Sequence, residues 1–392
     1  MSQPTSQSSF SADRFITDRL RAIDASGIRK VFDLAANLKN PVNLSIGQPD
    51  FDVPDGIKQA AIGAIESGVN QYTVTQGLKA LHDEVNSQIV AEFPNWKDSG
   101  YGTLINSGVS GGLLLALMTC VAAGDEVIIA DPYFVMYRHL VTLAGAKAVY
   151  VDTYPDFQLT ADRIEPLITP RTKMILFNSP SNPTGVVATE AVCKEVVALA
   201  EKHNVLLLSD EIYDEFCYEK VDRPDGSRRC PSPASYSPNL LLMRGFSKTY
   251  GMTGWRLGYT VGPKAIIEQM TKLQQYSFVC APSMVQVAGV TALKTDMSTH
   301  VEHYRKKRDM VVEKLSGTYN LTTPGGAFYA FPEVPKKLGL TASQFVEKAI
   351  AKNLLVIPGN VFSNHDTHIR ISYACNDKML EQGLDILLEL AR

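Results

Sequence analysis

A chain of 392 residues with 45% apolar and 20% charged residues has the balance of an ordinary globular protein, and is long enough for two domains. A formal net charge of −3 offers no basic footprint for nucleic acid or an anionic membrane surface. The strongest apolar run, 113–123, contains Thr119 and Cys120 and is roughly half of what a bilayer span requires.

Residues 1–11 are rich in Ser, Gln and Thr, without a basic start or an apolar stretch, so no secretory signal is expected. Six cysteines (120, 193, 217, 230, 280 and 375) are scattered, with no Cys-x-x-Cys pair and no histidine at metal-ligand spacing. Reduced thiols of a cytoplasmic protein, packed as small apolar side chains, suit that pattern better than disulfides or a metal site.

Along the chain, apolar β-rich runs at 103–106, 126–130, 148–152, 174–178, 205–209, 240–245 and 259–261 predict strands. Amphipathic stretches at 111–121, 133–144 and 190–203 predict helices between them. Continuous apolar strands separated by helices imply an α/β fold, its mostly parallel sheet covered on both faces and its ligands at the strand C-termini. The stretch 222–238, rich in Pro, Ser and Arg, reads as an exposed excursion. After about Thr291 the texture changes. A helix at 300–316, an aromatic strand at 327–331, a helix at 343–352, strands near Leu355 and at 369–372, and a C-terminal helix form a smaller α+β unit. The expected division is an N-terminal arm with part of the small domain at 1–50, a large domain at 51–290 and a small one at 291–392.

Four strand ends carry residues suited to chemistry. Asn106-Ser-Gly-Val-Ser-Gly-Gly112 opens a helix with backbone N–H groups that suit an anion, or is only a tight strand-to-helix turn. Asn178-Ser-Pro-Ser-Asn182-Pro-Thr-Gly185 displays Asn182 between prolines, which is also a common turn opener. Val205-Leu-Leu-Leu-Ser-Asp-Glu-Ile-Tyr213 delivers Asp210, Glu211 and Tyr213 from an apolar strand; Asp210 either meets a cation or caps the next element. Gly245-Phe-Ser-Lys-Thr-Tyr-Gly-Met-Thr-Gly-Trp-Arg256 places Lys248 after a stiff strand. Desolvated beside cations, its amine condenses with a carbonyl, though a strand-end lysine is often just a surface residue. Taken together, the four describe one pocket with a phosphate cradle, an aldehyde-trapping lysine and a carboxylate for a ring nitrogen.

These residues resemble the class I aminotransferases of the aspartate aminotransferase superfamily, fold-type-I pyridoxal-phosphate enzymes, from about Phe32 to Leu390. Ser-Lys-x-x-Gly-Met-x-Gly-Trp-Arg, Asn-Pro-Thr-Gly and Ser-Asp-Glu-Ile-Tyr carry the likeness. It implies pyridoxal 5′-phosphate as cofactor, with Lys248 as its Schiff-base lysine and proton carrier, and Asp210 on the ring nitrogen. Asn182 and Tyr213 would bond the phenolate oxygen, and Phe134 would stack on the ring. Gly108, Val109, Ser110, Ser247 and Arg256 would hold the phosphate. Arg370, in His368-Ile-Arg-Ile-Ser-Tyr, would grip the substrate α-carboxylate, and Gly47 would let substrate approach the backbone. Tyr72 matches a tyrosine that reaches the neighbouring subunit's phosphate, which implies a homodimer.

Two positions depart from the family pattern. Phe134 stands where many relatives have tryptophan, and Ser110 where some aspartate-specific ones have lysine. The expected donor is therefore aspartate or an aromatic or neutral L-amino acid, with 2-oxoglutarate as the expected acceptor in a ping-pong cycle. A pyridoxal-phosphate lyase (carbon–sulfur or aminocyclopropane-carboxylate-synthase-like) shares the same motifs, and a non-catalytic sensor is a third reading. No metal, nucleic acid or membrane partner is expected.

Overall fold

The computed structural model describes residues 10–24, 27, 38–223 and 226–392. The remaining residues of the expected N-terminal arm, the proposed start of the family likeness at Phe32, and residues 224–225 of the 222–238 stretch lie outside them.

All seven expected strands form, and they join in one sheet. They are β2 (Tyr101–Asn106), β3 (Glu126–Asp131), β4 (Lys147–Asp152), β5 (Thr172–Asn178), β6 (Leu206–Asp210), β9 (Leu240–Gly245) and β10 (Gly258–Pro263); a short β1 (Val42–Asn43) precedes them, and a hairpin of β7 (Val221–Asp222) and β8 (Arg228–Arg229) lies between β6 and β9. The order is β2-β10-β9-β6-β5-β3-β4. Every pairing is parallel except those of β10, which runs against both neighbours.

Strands such as Leu240–Gly245 are buried along their whole length because both faces are covered. One face packs with Ile57, Val85, Trp96 and Val196, and the other with Leu113, Leu117, Tyr137 and Met270. At about 1.5–3 kcal/mol for each large side chain removed from water, neither face is stable bare, which is why the helices must flank the sheet.

The helix Glu190–His203 has the expected limits because both its ends are marked. The Thr189 side chain accepts from Val192 N–H, and Asn204 ends it in the left-handed conformation (φ 52°). The helix expected from 133 instead begins at Met136, and Tyr133 N–H donates to the Phe362 carbonyl at 2.7 Å. Residues 132–135 are thereby left as a loop that displays Phe134. The 222–238 stretch is not wholly exposed. Beyond the hairpin, Cys230, Ser232, Pro233, Ala234 and Ser237 are buried, and the Ala234 carbonyl accepts from the Trp96 indole at 2.8 Å. Its composition signals irregular backbone, which here is packed against the sheet's helices.

A third apolar cluster gathers residues from the C-terminal part of the chain with Val42 and Leu44. Here β14 (Ile369–Ser372) lies between β11 (Tyr329–Ala330) and β13 (Ile357–Pro358), antiparallel to both, while β1 pairs in parallel with β12 (Leu354–Leu355). The helices Ser298–Leu315, Ala342–Ala351 and Asp377–Leu390 contribute to this cluster. Among the described residues no helix is long and apolar enough to cross a membrane, and no group of His, Cys, Asp or Glu is arranged to hold a metal.

Candidate active site

Parallel strands end on one edge of a sheet, and an antiparallel one begins there. So β2, β3, β5, β6 and β9 bring Gly108, Phe134, Asn182, Tyr213 and Lys248 to the same edge, and β10 adds Arg256 from just before its first residue. The register makes this concrete: Gly258 lies opposite both Asn106 and Gly245. The site is built on stiff elements.

The helix Gly108–Cys120 starts without a side-chain cap from Ser107, so its first N–H groups have no such partner. Gly108 has φ +71°, and a Cβ there would come 2.7 Å from Arg256 Nη2. Only glycine allows the guanidinium to lie against that turn. Arg256 itself is left-handed (φ 54°), held by Nη1 donating to the Thr253 carbonyl at 3.0 Å. Its cation and the helix start converge, a ready anion site.

Lys248 Nζ donates to the Gly47 carbonyl at 2.6 Å and lies 5.9 Å from the centres of the Tyr213 and Phe328 rings. Burial, then the charges of Arg370 and Arg256, lower its pKa to about 8, against the pull of Asp210. Asp210 is 2% exposed, and burial raises its pKa to about 6 despite hydrogen bonds from Tyr137 Oη at 2.7 Å and Ile212 N–H at 3.2 Å. A carboxylate in that setting calls for a nearby cation.

Arg370 is 1% exposed. Nη2 donates to the Ser45 carbonyl at 2.8 Å and Nη1 to Asn182 Oδ1 at 3.1 Å, while Nε has no partner. Its guanidinium lies 4.6 Å from the centres of both the Tyr329 and Phe362 rings, and no carboxylate among the described residues pairs with it. Burial lowers its pKa. Such a charge is costly unless an anion arrives.

Of the residues given a role by the family resemblance, all but Gly108 and Tyr72 line one cavity of about 450 Å³. Gly108 abuts it through Arg256, whereas Tyr72 is 83% exposed and lies away from it. Sequence reasoning missed Tyr137, one helical turn beyond Phe134, and Tyr329, whose hydroxyl meets that of Tyr213 at 2.9 Å. It also missed Asn178, which donates to the Asp210 carbonyl at 2.9 Å and accepts from Asn182 N–H at 3.0 Å. The spacing from Phe134 could have signalled Tyr137. Nothing local marks Tyr329 as reaching across from the C-terminal unit.

Glu211, adjacent to Asp210, points to the opposite face of the sheet edge. It shares Arg244 with Glu92 and Asp214, at 2.9, 2.7 and 3.2 Å respectively. Alternation along the strand separates a structural carboxylate from one that faces the cavity.

Comparison with known proteins agrees with this geometry. A family model described as aminotransferase class I and II matches residues 39–387. An aspartate aminotransferase of Pyrococcus abyssi is 35% identical over 387 residues, covering 96% of this chain and 98% of its own. An aromatic-amino-acid aminotransferase of Thermococcus litoralis is 34% identical over 380 residues, covering 94% and 96%. The solved structure of Thermus thermophilus aspartate aminotransferase with maleate superposes with a TM-score of 0.88 at 30% identity, over 96% of this chain and 99% of that one. The chain belongs to the class I and II aminotransferases, in the fold-type-I architecture.

Proposed function

We propose that the cavity holds pyridoxal 5′-phosphate, and that the protein transfers the amino group of an aromatic or neutral L-amino acid to a 2-oxo acid. Arg370 carries this reading: a buried guanidinium with no carboxylate partner among the described residues, in the same cavity as a lysine of lowered pKa. The residues present fit the cofactor. The uncapped helix start with Arg256 suits a phosphate, and the buried Asp210, whose hydrogen bonds come from neutral groups, suits a protonated ring nitrogen.

When bound, pyridoxal phosphate supplies an electrophilic carbonyl and an electron-withdrawing ring that lets the substrate Cα release its proton. Lys248 holds the carbonyl at rest. Its neutral amine would serve as the base that takes the substrate Cα proton and as the acid that gives a proton back on the cofactor side of the shared nitrogen. Asp210 keeps the ring nitrogen charged. Gly108, Val109, Ser110, Ser247 and Arg256 would bind the phosphate, and Phe134 would lie against the ring. Asn182 gives its Oδ1 to Arg370, which leaves Nδ2, with the Tyr213 hydroxyl, for the phenolate oxygen. Arg370 takes the α-carboxylate with two parallel hydrogen bonds, beside the exposed backbone of Gly47.

Among the described residues, the cations lining the cavity are Lys248, Arg256 and Arg370, and each has a role already. With none of them left for a side-chain carboxylate, a neutral or aromatic donor is favoured. A ping-pong cycle follows, because one set of groups serves donor and acceptor in turn. Residues 51–290 act as the cofactor-binding body, while 291–392 with part of 1–50 form the smaller one. The partner is a second copy, whose Tyr72 completes the phosphate site. A cytoplasmic setting suits the six free cysteines.

The test is the absorbance of the purified protein before and after single L-amino acids, with no oxo acid. Loss of the yellow band with gain of the pyridoxamine band is expected, fastest for aromatic or neutral donors. A protein that takes up no pyridoxal phosphate would refute the proposal.

A further inference from the structure

We propose that Lys307, which does not line the cavity, is a positioning residue that fixes the substrate-side backbone through Asp50. The inference rests on the aminotransferase reading above and adds a residue to it. Two carbonyls of the segment 44–50 receive the site's cations: Ser45 accepts from Arg370 and Gly47 from Lys248. The segment is a strap tied at both ends. At one end Leu44 N–H donates to the Leu355 carbonyl at 2.9 Å, and the Leu44 carbonyl accepts from Ser372 N–H at 2.7 Å.

At the other end stands Asp50. Its backbone N–H donates to Tyr304 Oη at 3.0 Å, and its carboxylate accepts from that same hydroxyl and from Lys307 Nζ at 2.6 Å. The Lys307 side chain is 1% exposed; its ammonium also donates to the Cys375 carbonyl at 2.5 Å and lies 4.9 Å from the centre of the Tyr304 ring. Phe51 stacks on His300 of the same helix, with ring centres 4.2 Å apart.

A buried ion pair is weak evidence for stability, since apolar residues of similar volume often do as well. Its value here is directional. Gly47 is only three residues from Asp50, roughly 10 Å of fully extended chain, so slack at Asp50 reaches Gly47 directly. Both ties, β12 with β14 and the helix Ser298–Leu315, belong to the C-terminal cluster, whereas Lys248 stands on the edge of the large sheet. The Lys307–Asp50 pair therefore fixes where one unit's backbone meets the other unit's lysine. Gly47 has little room to shift toward Tyr329, whose hydroxyl would lie 3.0 Å from a Cβ at that position. A loosened strap moves outward and takes an acceptor away from Arg370.

Because Arg370 grips the carboxylate before and during reaction, loosening the strap weakens binding more than turnover. The experiment measures KM and kcat for the best donor in wild type, Lys307→Met, Asp50→Asn and the double variant, together with amide exchange of residues 45–50 in the holoenzyme without amino acid. Expected are a KM about tenfold higher with kcat within about twofold, faster exchange of the strap, and a double variant no worse than either single one. Asp50→Asn, whose side chain is 23% exposed, keeps the test open if Lys307→Met does not fold. Folded variants with wild-type KM and wild-type exchange would overturn the proposal, whatever their melting temperature. A wild type that transaminates no donor would instead overturn the proposed function.

Discussion

The Tyr137 hydroxyl donates to Asp210 Oδ2 at 2.7 Å, tying a helix residue beyond β3 to the carboxylate at the end of β6. It opposes burial, the larger influence, which raises the Asp210 pKa from 3.8 to about 6. In the cofactor-free protein the unfolded chain therefore releases this proton first as pH rises. Stability falls between those two values, and the full cost, about 3 kcal/mol, is present above the folded-state pKa. Asp210→Asn apoprotein should resist urea better than wild type at pH 8 and equally at low pH, while binding pyridoxal phosphate far more weakly. Tyr137→Phe should move the apoprotein's loss of stability to higher pH. Urea melts at several pH values read both effects.

Lys248 behaves in the reverse sense. Burial, with Arg370 and Arg256, lowers its pKa to about 8 from 10.5, so the unfolded chain binds the proton more tightly. Apoprotein stability at this group rises as pH climbs from 8 to 10.5. Lys248→Ala should remove that rise and leave a folded protein, while lowering turnover by more than about 10⁴-fold through the loss of both nucleophile and base. Single-turnover kinetics beside a thermal melt separate the two consequences.

Much of this was legible in the sequence, for identifiable reasons. The seven strands were apolar throughout because both faces of the sheet are covered, and short turn signals separated them. Asp210 and Lys248 stood out because a charged residue closing an apolar strand is costly without a partner. Tyr137 and Tyr329 did not, since an aromatic residue in an apolar stretch looks like core, and only tertiary contact puts Tyr329 against Tyr213. The burial of Ser232 and Ala234 was hidden as well. Polar and proline-rich segments look solvated until their hydrogen bonds, here to Glu211 and Trp96, are known.

Arg370 offers two donors that already hold neutral oxygens, Ser45 O and Asn182 Oδ1, and a third, Nε, that holds none. An arriving carboxylate adds a charged, bidentate acceptor beside these neutral ones, worth about 1.5–3 kcal/mol per bond to a charged group. Arg370→Lys should therefore raise the amino-acid KM by about 10- to 100-fold, since a point charge cannot reproduce the fork. Pyridoxal-phosphate affinity should stay unchanged. Steady-state kinetics with a cofactor titration provide the check.

Arg244 is structural, and its removal should look different. Its guanidinium is shared by Glu92, Glu211 and Asp214, all buried or nearly so, and lies 5.4 Å from the centre of the Phe93 ring. Burial raises the pKa of Asp214 to about 7, even with Arg244 beside it. Arg244→Met should destabilise the fold by about 3–5 kcal/mol, because it leaves buried carboxylates without their cation. The loss should be greater at pH 8 than at pH 5, where the carboxylates can take up protons. Denaturant melts at the two values measure it, and KM of the folded fraction should not move.

Tyr72 remains, 83% exposed, away from the cavity, on a segment held by the Gln286 amide donating to Thr73 Oγ1 at 3.1 Å and the Gln274 amide donating to the Thr75 carbonyl at 2.8 Å. A rigidly held aromatic residue facing solvent suits a role in another copy's site better than one in its own. If so, Tyr72→Ala and Lys248→Ala damage different sites in a mixed dimer. The site with an intact Lys248 draws its tyrosine from the Lys248→Ala chain and is whole, while the other site carries both lesions. Unfolding and refolding the two variants together should give activity well above the mean of the separate preparations. Random pairing would place roughly a quarter of all sites in the intact class, which sets the expected recovery. Activity equal to that mean would show that Tyr72 does not serve the neighbouring site.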